Sequence, residues 1–490
     1  MNFIFGTILF CYSIFVLERL FWMEQFYCLT IKLFCADETS FGAEPNTHIS
    51  PVTLGYPGTL PVLNKEAVRL AVKMGIACHS EIESWNYFAR KNYFYPDLPK
   101  GYQISQHTTP VCKGGFVKIG QGETEKKIQL NRIHMEEDAG KSIHDRDDDF
   151  TSLDFNRAGV PLIEIVTEPC LNSADEAVTF LTNLRRILRY LAVCDGNMEE
   201  GSLRCDANVS IRKTGEKALG VKVEIKNLNS IRNVKRAIES EVKRMCDMAD
   251  NNEIIVQQTR SFDALAGTTF SMRSKEEAND YRYFPDPDLP PFEVTPSMLK
   301  EIEATIPALP EELVTKYMEK YNLSRYDADV LTDDRETADY FEQLIRITPH
   351  YKSAANWIAG PIKSFLNENN ISISEFRLHP AVMASLIELV EEGRVHFSTA
   401  SSKIFPELAS GTATDPVTLA TTLNLIQTDD ESQILEWVKQ AMDKMPEKVL
   451  EYKKGKKGLL GLFVGEVKKI SQGKADPQLT NKLLIQKLEK

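Results

Sequence analysis

Leu203–Ile211 reads LRCDANVSI, and its two faces differ in kind. In an extended chain successive side chains point to opposite sides. Leu203, Cys205, Ala207, Val209 and Ile211 therefore share one face, and Arg204, Asp206, Asn208 and Ser210 the other. The stretch VKVEIKN repeats the pattern, with Val221, Val223 and Ile225 against Lys222, Glu224 and Lys226. In RIHMEEDAGK (Arg132–Lys141), His134 and Glu136 share a face, and Glu137 and Asp138 follow as the strand enters a glycine-containing loop. These strands lie in a region from about 36 to 293 that is punctuated by turn signals such as YPGTLPVLNK, YPDLPKGY and FPDPDLPPF. Short alternating runs between turns predict an antiparallel or mixed sheet.

Helices are interposed. Asn64–Ala77 opens on an asparagine cap and carries Ala67, Leu70, Ala71 and Met74 at helical spacing. Ser173–Leu191 opens with Ser-Ala-Asp-Glu, the pattern of a capping box. The first half is therefore α+β. Beyond Pro285–Pro291 the texture becomes short amphipathic helices, and ASGTATDP (Ala409–Pro416) is small and polar enough to link domains. The expected organisation is an unassigned apolar N-terminus (1–31), a mixed or antiparallel-sheet cradle domain (32–293), an all-helical domain (294–412) and a small helical tail domain (413–490).

The 490 residues are 42% hydrophobic and 26% charged, which excludes a disordered chain. The net charge of −12 excludes a protein coated in basic charge for bulk nucleic-acid binding. The charge is uneven. Lys448–Lys490 holds eleven Lys against four acidic residues, so the tail is +7 and the rest is −12 − 7 = −19. Nine cysteines with no CxxC pair point to reduced thiols and away from a disulfide framework or a zinc site.

A polar strand face is ordinarily solvated. Here, however, Asp, Asn, Glu and Arg recur on three strands of a turn-rich region. Hard oxygen donors from several strands suit Mg²⁺, and neighbouring Arg and Lys suit phosphate. No GxxxxGK[ST] loop, GxSxG elbow or HExxH helix is present, which excludes an ordinary P-loop and leaves no marked nucleophile. The residues by themselves imply a metal-and-phosphate site and leave its purpose open.

The same segments resemble the B subunit of the aspartyl/glutamyl-tRNA(Asn/Gln) amidotransferases, the GatB family. The likeness is carried by FGAEPNT (Phe41–Thr47), PGTLPVLNK (Pro57–Lys65), RKNYFYPDLPKGYQISQ (Arg90–Gln106), RIHMEEDAGKSIHD and DFNRAGVPLIEIVTEP (Asp154–Pro169). It continues in MEEGSLRCDANVS (Met198–Ser210), VEIKNLNS (Val223–Ser230), DYRYFPDPDLPP (Asp280–Pro291) and GLLGLFVGEVKKISQGKADP (Gly458–Pro477). The resemblance implies ATP-dependent phosphorylation of the side-chain carboxylate of a mischarged Glu-tRNA(Gln) or Asp-tRNA(Asn). Ammonia released from glutamine by a partner A subunit then displaces the phosphate, and a C subunit completes the complex.

The family's Mg²⁺ ligands would match Glu137, Asp206 and Glu224. Glu136 is expected beside the metal, and Lys226, Arg204 and Lys141 are expected at phosphate or carboxylate. Lys222 and Asn208 are expected to be ordinary polar-face residues. The basic tail, with KKGKKG (Lys453–Gly458), is expected to meet the tRNA backbone. The compartment expected is the bacterial cytoplasm, since the N-terminus lacks the Arg- and Ser-rich character of a transit peptide.

One departure stands out. The family opens with a strand resembling GLEVHVQL, and counting back from KLFC (Lys32–Cys35) aligns it with LFWMEQFY (Leu20–Tyr27). The family's Glu then falls at Trp22 and its His at Glu24. The apolar run FIFGTILFCYSIFVL (Phe3–Leu17) is shorter than the roughly 20 residues of a membrane helix. A shifted frame or start explains it more simply than an anchor. If the strand is genuine, the alternative to an enzyme subunit is a non-catalytic tRNA-binding or assembly subunit.

Overall fold

The computed structural model describes residues 29–120, 122–143, 149–272, 281–426, 430–471 and 473–489, together with the backbone of 15–16 and 22–26. The apolar run Phe3–Leu17 thus lies outside the described residues except for two backbone positions. Among the described residues no helix is long and apolar enough to cross a membrane.

The chain divides into two compact units, Met1–Leu309 and Pro310–Lys490. The first is organised on one large mixed sheet. Its main path uses β1 (Trp22–Phe26), β2 (Ala89–Asn92), β3 (Tyr102–Ser105), β4 (Lys126–Glu137), β5 (Pro161–Thr167), β6 (Leu203–Ile211), β7 (Val223–Leu228), β8 (Gln258–Asp263), β9 (Thr268–Ser271) and β10 (Phe284–Pro285). In space the order is β9-β8-β7-β6-β1-β5-β4-β3-β2-β10. All neighbours are antiparallel except β7 and β8, which run parallel. The long connection through a helix makes that parallel pair possible.

Three helices bury the apolar side of the sheet: α1 (Lys65–Ala77), α2 (Ala174–Tyr190) and α3 (Ile231–Asp250). Leu203, Cys205, Ala207 and Val209 of β6 are each at most 1% exposed and join Ile133, Met135, Ile163 and Ile225 in the core. The alternation in LRCDANVSI is thus realised on its apolar side. Asn64 caps α1 by accepting from Glu66 N at 3.0 Å. Ser173 caps α2 by accepting from Glu176 N at 3.1 Å. The Glu176 carboxylate reaches one residue further back, to Asn172 N at 2.6 Å, and pairs with Lys126. One half of the capping box is built and the other is redirected.

The first unit ends one helix beyond residue 293. Helix Pro296–Glu303 inserts Ile302 into the cradle core, with Met298 and Leu299 packed against it. The second unit is helical throughout its described length, from Pro310–Tyr321 to Pro477–Leu488. Within it Ile434, Val438, Phe463, Val467, Leu483 and Leu484 form a separate apolar cluster, so the tail has a core of its own.

Candidate active site

The sheet face away from the helices carries the polar residues, and strand register sets out their order. His134 of β4 pairs with Glu164 of β5, Glu164 with position 24 of β1, and position 24 with Arg204 of β6. Position 22 of β1 lies opposite Asp206. Two groups of side chains result, one on each side of β1.

The first group is buried. His134, Glu136 and Glu164 are 3%, 2% and 1% exposed, and each offers a metal-competent atom within 4.8 Å of the others. His134 Nε2 stands 3.8 Å from Glu136 Oε2 and 3.6 Å from Glu164 Oε2. Its Nδ1 accepts from Arg132 Nε at 3.3 Å, which places the ring proton on Nε2, facing the carboxylates. Burial pushes the imidazole below its ordinary pKa, so it is neutral near pH 7. Ser105 Oγ donates to Glu136 Oε2 at 3.1 Å.

Lys91 of β2 completes the group. Burial alone would favour its neutral form, but attraction to Glu136 and then Glu164 outweighs this and holds the ammonium charged, above the ordinary lysine value. Burial likewise opposes ionisation of Glu136. His134 and Lys91 reverse that and keep the carboxylate below its ordinary value.

The second group is more open. Lys226 Nζ lies 3.7 Å from Asp206 Oδ2 and 3.6 Å from Glu224 Oε1. Thr259 of β8 donates to Glu224 Oε2 at 2.9 Å. Alternation along β7 puts Lys226 on the same face as Glu224, and a β-bulge lies beside it. Cys205 pairs with Leu228 and Ala207 with Ile225, so β7 carries one residue more than β6 across this stretch. Asn227 takes up the excess in the left-handed region, at φ 62°, and its amide donates to Ser261.

Arg204 reaches toward the first group. Its NH2 donates to Asp138 Oδ2 at 3.1 Å, beside Arg157, whose Nε is 2.9 Å from the same oxygen. Asn208 is 3% exposed, not solvated as a polar-face residue would be.

Two expected residues lie elsewhere. Lys141 is exposed on a separate two-stranded sheet, Lys141–Ile143 with Ser152–Asp154. Glu137 adjoins Glu136 in sequence but belongs to another chamber. It accepts from Lys100 Nζ at 2.6 Å and from Ile104 N at 2.9 Å. It lines a cavity of about 220 Å³ with Lys32, Arg90, Tyr102 and the Val52–Pro61 loop. Gly159 also lines it, at φ 81°, where a Cβ would sit 3.9 Å from Glu137 Oε2 and 3.5 Å from Lys32 Cδ. The structure therefore gathers Asp206 and Glu224 together and places Glu136, with Glu164, in the buried carboxylate group.

Sequence reasoning missed Glu164, Lys91 and Thr259. For Glu164 a signal was present, because it is the sole charge in the otherwise apolar strand PLIEIVT, every residue of which is buried. A carboxylate in such a run needs a partner.

Residues 27–300 match the family described as the GatB/GatE catalytic domain, and residues 339–488 match the GatB domain. The chain belongs to the GatB family. It is 47% identical over 458 residues to the B subunit of the aspartyl/glutamyl-tRNA(Asn/Gln) amidotransferase of Thermodesulfovibrio yellowstonii, covering 94% of this chain and 96% of that one. The protein of the same name from Caldicellulosiruptor saccharolyticus is 47% identical over 462 residues, with the same coverage. That from Nitratidesulfovibrio vulgaris is 45% identical over 457 residues, covering 93% and 96%. Membership makes this chain a subunit of a tRNA amidotransferase. The GatB/GatE catalytic match spans both groups of polar side chains described above.

Proposed function

We propose that this GatB-family chain activates the side-chain carboxylate of mischarged Glu-tRNA(Gln) or Asp-tRNA(Asn) with ATP. Ammonia from a partner A subunit then completes the amidation, and a C subunit completes a heterotrimer. The observation that carries the proposal is the buried trio His134, Glu136 and Glu164, with Lys91 beside it, on the cradle-sheet face away from the helices. A carboxylate is a poor acceptor for ammonia because its leaving group would be an oxide. Phosphorylation supplies a leaving group, and the reaction then needs charge compensation for the nucleotide phosphates.

The donor set fits Mg²⁺. Glu136 and Glu164 offer hard carboxylate oxygens, while the Nε2–H of His134 faces them and orients them as a donor rather than as a ligand. Asp206 and Glu224 form a second oxygen pair across β1. Bound there, the ion would neutralise phosphate charge and polarise the phosphoryl oxygens. Lys91 and Lys226 supply cations on either side, and Asp138 fixes the Arg204 guanidinium between them. Binding of the tRNA backbone falls to the basic tail, and the compartment we propose is the bacterial cytoplasm.

The test is ATP hydrolysis by the chain assembled with its A and C partners, with and without mischarged tRNA. Stimulation by mischarged but not by correctly charged tRNA is expected, and it should be lost in Glu136→Gln. Absence of any stimulation would refute the assignment. One observation favours a second reading. Trp22 pairs in register with Asp206, in the middle of the site, where the family's motif has a glutamate. If tRNA binds normally without stimulating hydrolysis, the chain is a tRNA-binding assembly subunit.

A further inference from the structure

Beside the buried carboxylates stands an aromatic wall that the chemistry above leaves unused. Tyr93, Tyr281 and Tyr283 meet edge to face, with ring centroids 5.9 Å apart for Tyr93 and Tyr281 and 6.1 Å apart for Tyr281 and Tyr283. Tyr283 then stacks flat on His107, at 4.1 Å between centroids and 5° between planes. The first three rings are partly buried and His107 is exposed, so the stack ends at the surface on an open imidazole face.

The wall is held by the backbone. Arg282, between the two tyrosines, has φ 45°, a left-handed conformation that a non-glycine residue rarely adopts. The Asn92 amide maintains it by donating to the carbonyls of Arg282 at 2.9 Å and Tyr281 at 3.3 Å. At its foot is Lys91, whose Nζ lies 5.2 Å from the Tyr281 ring centroid and 5.7 Å from that of Tyr93. Lys91 is the same cation that neutralises Glu136 and Glu164.

His107 is also tied to the carboxylate group along the chain. Ser105, two residues earlier, donates to Glu136. Two residues of extended chain span no more than about 7 Å. An open stack, a cation and a carboxylate group thus follow one another within the reach of one nucleotide.

We infer that the His107–Tyr283 stack is a nucleobase platform. An adenine-type ring adds a third layer on His107, and the attached phosphate runs past Lys91 toward Glu136 and Glu164. Flat aromatic faces take bases through stacking, largely independent of sequence. The inference rests on the carboxylate-activating reading of this face. Two sources share the chemistry, ATP itself and the 3′-terminal adenosine of the tRNA.

The test uses the full-length chain in Mg²⁺, with ATP and base-free tripolyphosphate as calorimetric probes. Charged tRNA, intact or lacking its terminal adenosine, is the second pair. His107→Ala and Tyr283→Ala should weaken ATP binding about 10-fold or more, as loss of one base stack does, while Tyr283→Phe stays close to wild type. Tripolyphosphate binding should be unchanged in all three, which also shows that the variants fold. If ATP binding is unchanged but the alanine variants no longer distinguish intact from trimmed tRNA, the platform holds and its adenosine is the RNA's. Unchanged ATP binding together with undiminished discrimination between intact and trimmed tRNA, or equal loss of ATP and tripolyphosphate, would overturn the inference. Platform-dependent ATP binding without tRNA-stimulated hydrolysis would keep the platform and defeat the carboxylate-activating reading instead.

Discussion

Glu136 and Glu137 are consecutive residues of one strand, and their carboxylates serve opposite sides of the sheet. Glu136 is bonded to Ser105 and faces His134, whereas Glu137 is clamped by Lys100 and the Ile104 amide in a separate chamber. Both are buried. Their substitutions should therefore separate cleanly. Glu136→Gln should cut Mg²⁺ affinity and tRNA-stimulated ATP hydrolysis by at least about 10-fold. Glu137→Gln should take from Lys100 its carboxylate in the chamber and cost the cradle about 3 kcal/mol in urea unfolding. Equal loss of Mg²⁺ affinity in the two variants would show that both carboxylates serve the ion.

Glu241 of α3 is 0% exposed and binds three groups at once. Arg244 NH2 lies 2.5 Å from its Oε1, Arg260 Nε 3.2 Å from its Oε2, and Thr269 Oγ1 donates to Oε2 at 2.6 Å. Arg260 and Thr269 belong to β8 and β9, so this carboxylate fastens the edge hairpin to the helix layer. Replacing it by alanine strands a buried guanidinium. We expect a loss of about 3–5 kcal/mol. Hydrogen exchange should accelerate first at Gln258–Ser271, and Thr259 would then lose its fixed position against Glu224. Unaltered exchange in β8 and β9 would contradict this role.

The α+β class, the caps of α1 and α2 and the polar faces of β4, β6 and β7 are legible in the sequence because each depends on residues a few positions apart. Period-two alternation survives any fold that buries one face. What was not legible depends on register between distant strands. Nothing local to RIHMEED says that Glu136 will meet Glu164 while Glu137 meets Lys100. The bulge at Asn227, and the pairing that sets Lys226 against Asp206, are visible only once β6 and β7 are paired. Lys91 reads as an ordinary strand lysine until the fold lays it against two carboxylates. The N-terminal departure takes its meaning from register as well, since β1 runs between the two polar groups.

In the second unit Asp327 predicts an acid-sensitive contact. Partial burial pushes its carboxyl up, but Lys352 and the Ser324 hydroxyl outweigh this and hold it below its ordinary pKa. Lys352 Nζ lies 2.6 Å and Ser324 Oγ 2.5 Å from the same oxygen. A folded-state pKa below the unfolded value means stability that is present above about pH 4 and lost as pH falls through the folded value. Asp327→Asn should therefore be less stable than wild type at pH 7, with the gap closing below about pH 4. A gap that persists unchanged at pH 3 would rule out the ionised contact as its source.

The described cysteines are all free. Burial pushes the Cys78 thiol up to about 12 and raises Cys112 and Cys205 as well. The thiolate is the reactive form. At pH 8 the native chain should resist iodoacetamide at these three positions and be modified there only after denaturation, as peptide mass mapping will show. Prompt alkylation of Cys205 would mean that β6 opens readily, which its place in the middle of the sheet argues against.

The tail permits the sharpest test of nucleic-acid contact because it can be changed without touching the cradle. Its core of Ile434, Val438, Phe463, Val467 and Leu484 is built from its own helices. Lys456 and Lys457 are partly neutralised by Glu451 and Glu489, at 3.1 and 2.9 Å. Lys453, Lys454, Lys468 and Lys469 are exposed. If these four neutralise RNA phosphates, replacing them by alanine should flatten the dependence of log K on log salt by roughly 3, about 0.7–0.9 for each phosphate no longer neutralised. Affinity should fall most at about 50 mM salt and converge with wild type near 200 mM. Removing residues 430–490 should flatten the slope further while leaving cradle unfolding unchanged. A parallel shift with no change of slope would mean that these lysines act through the fold of the tail and not by binding phosphate.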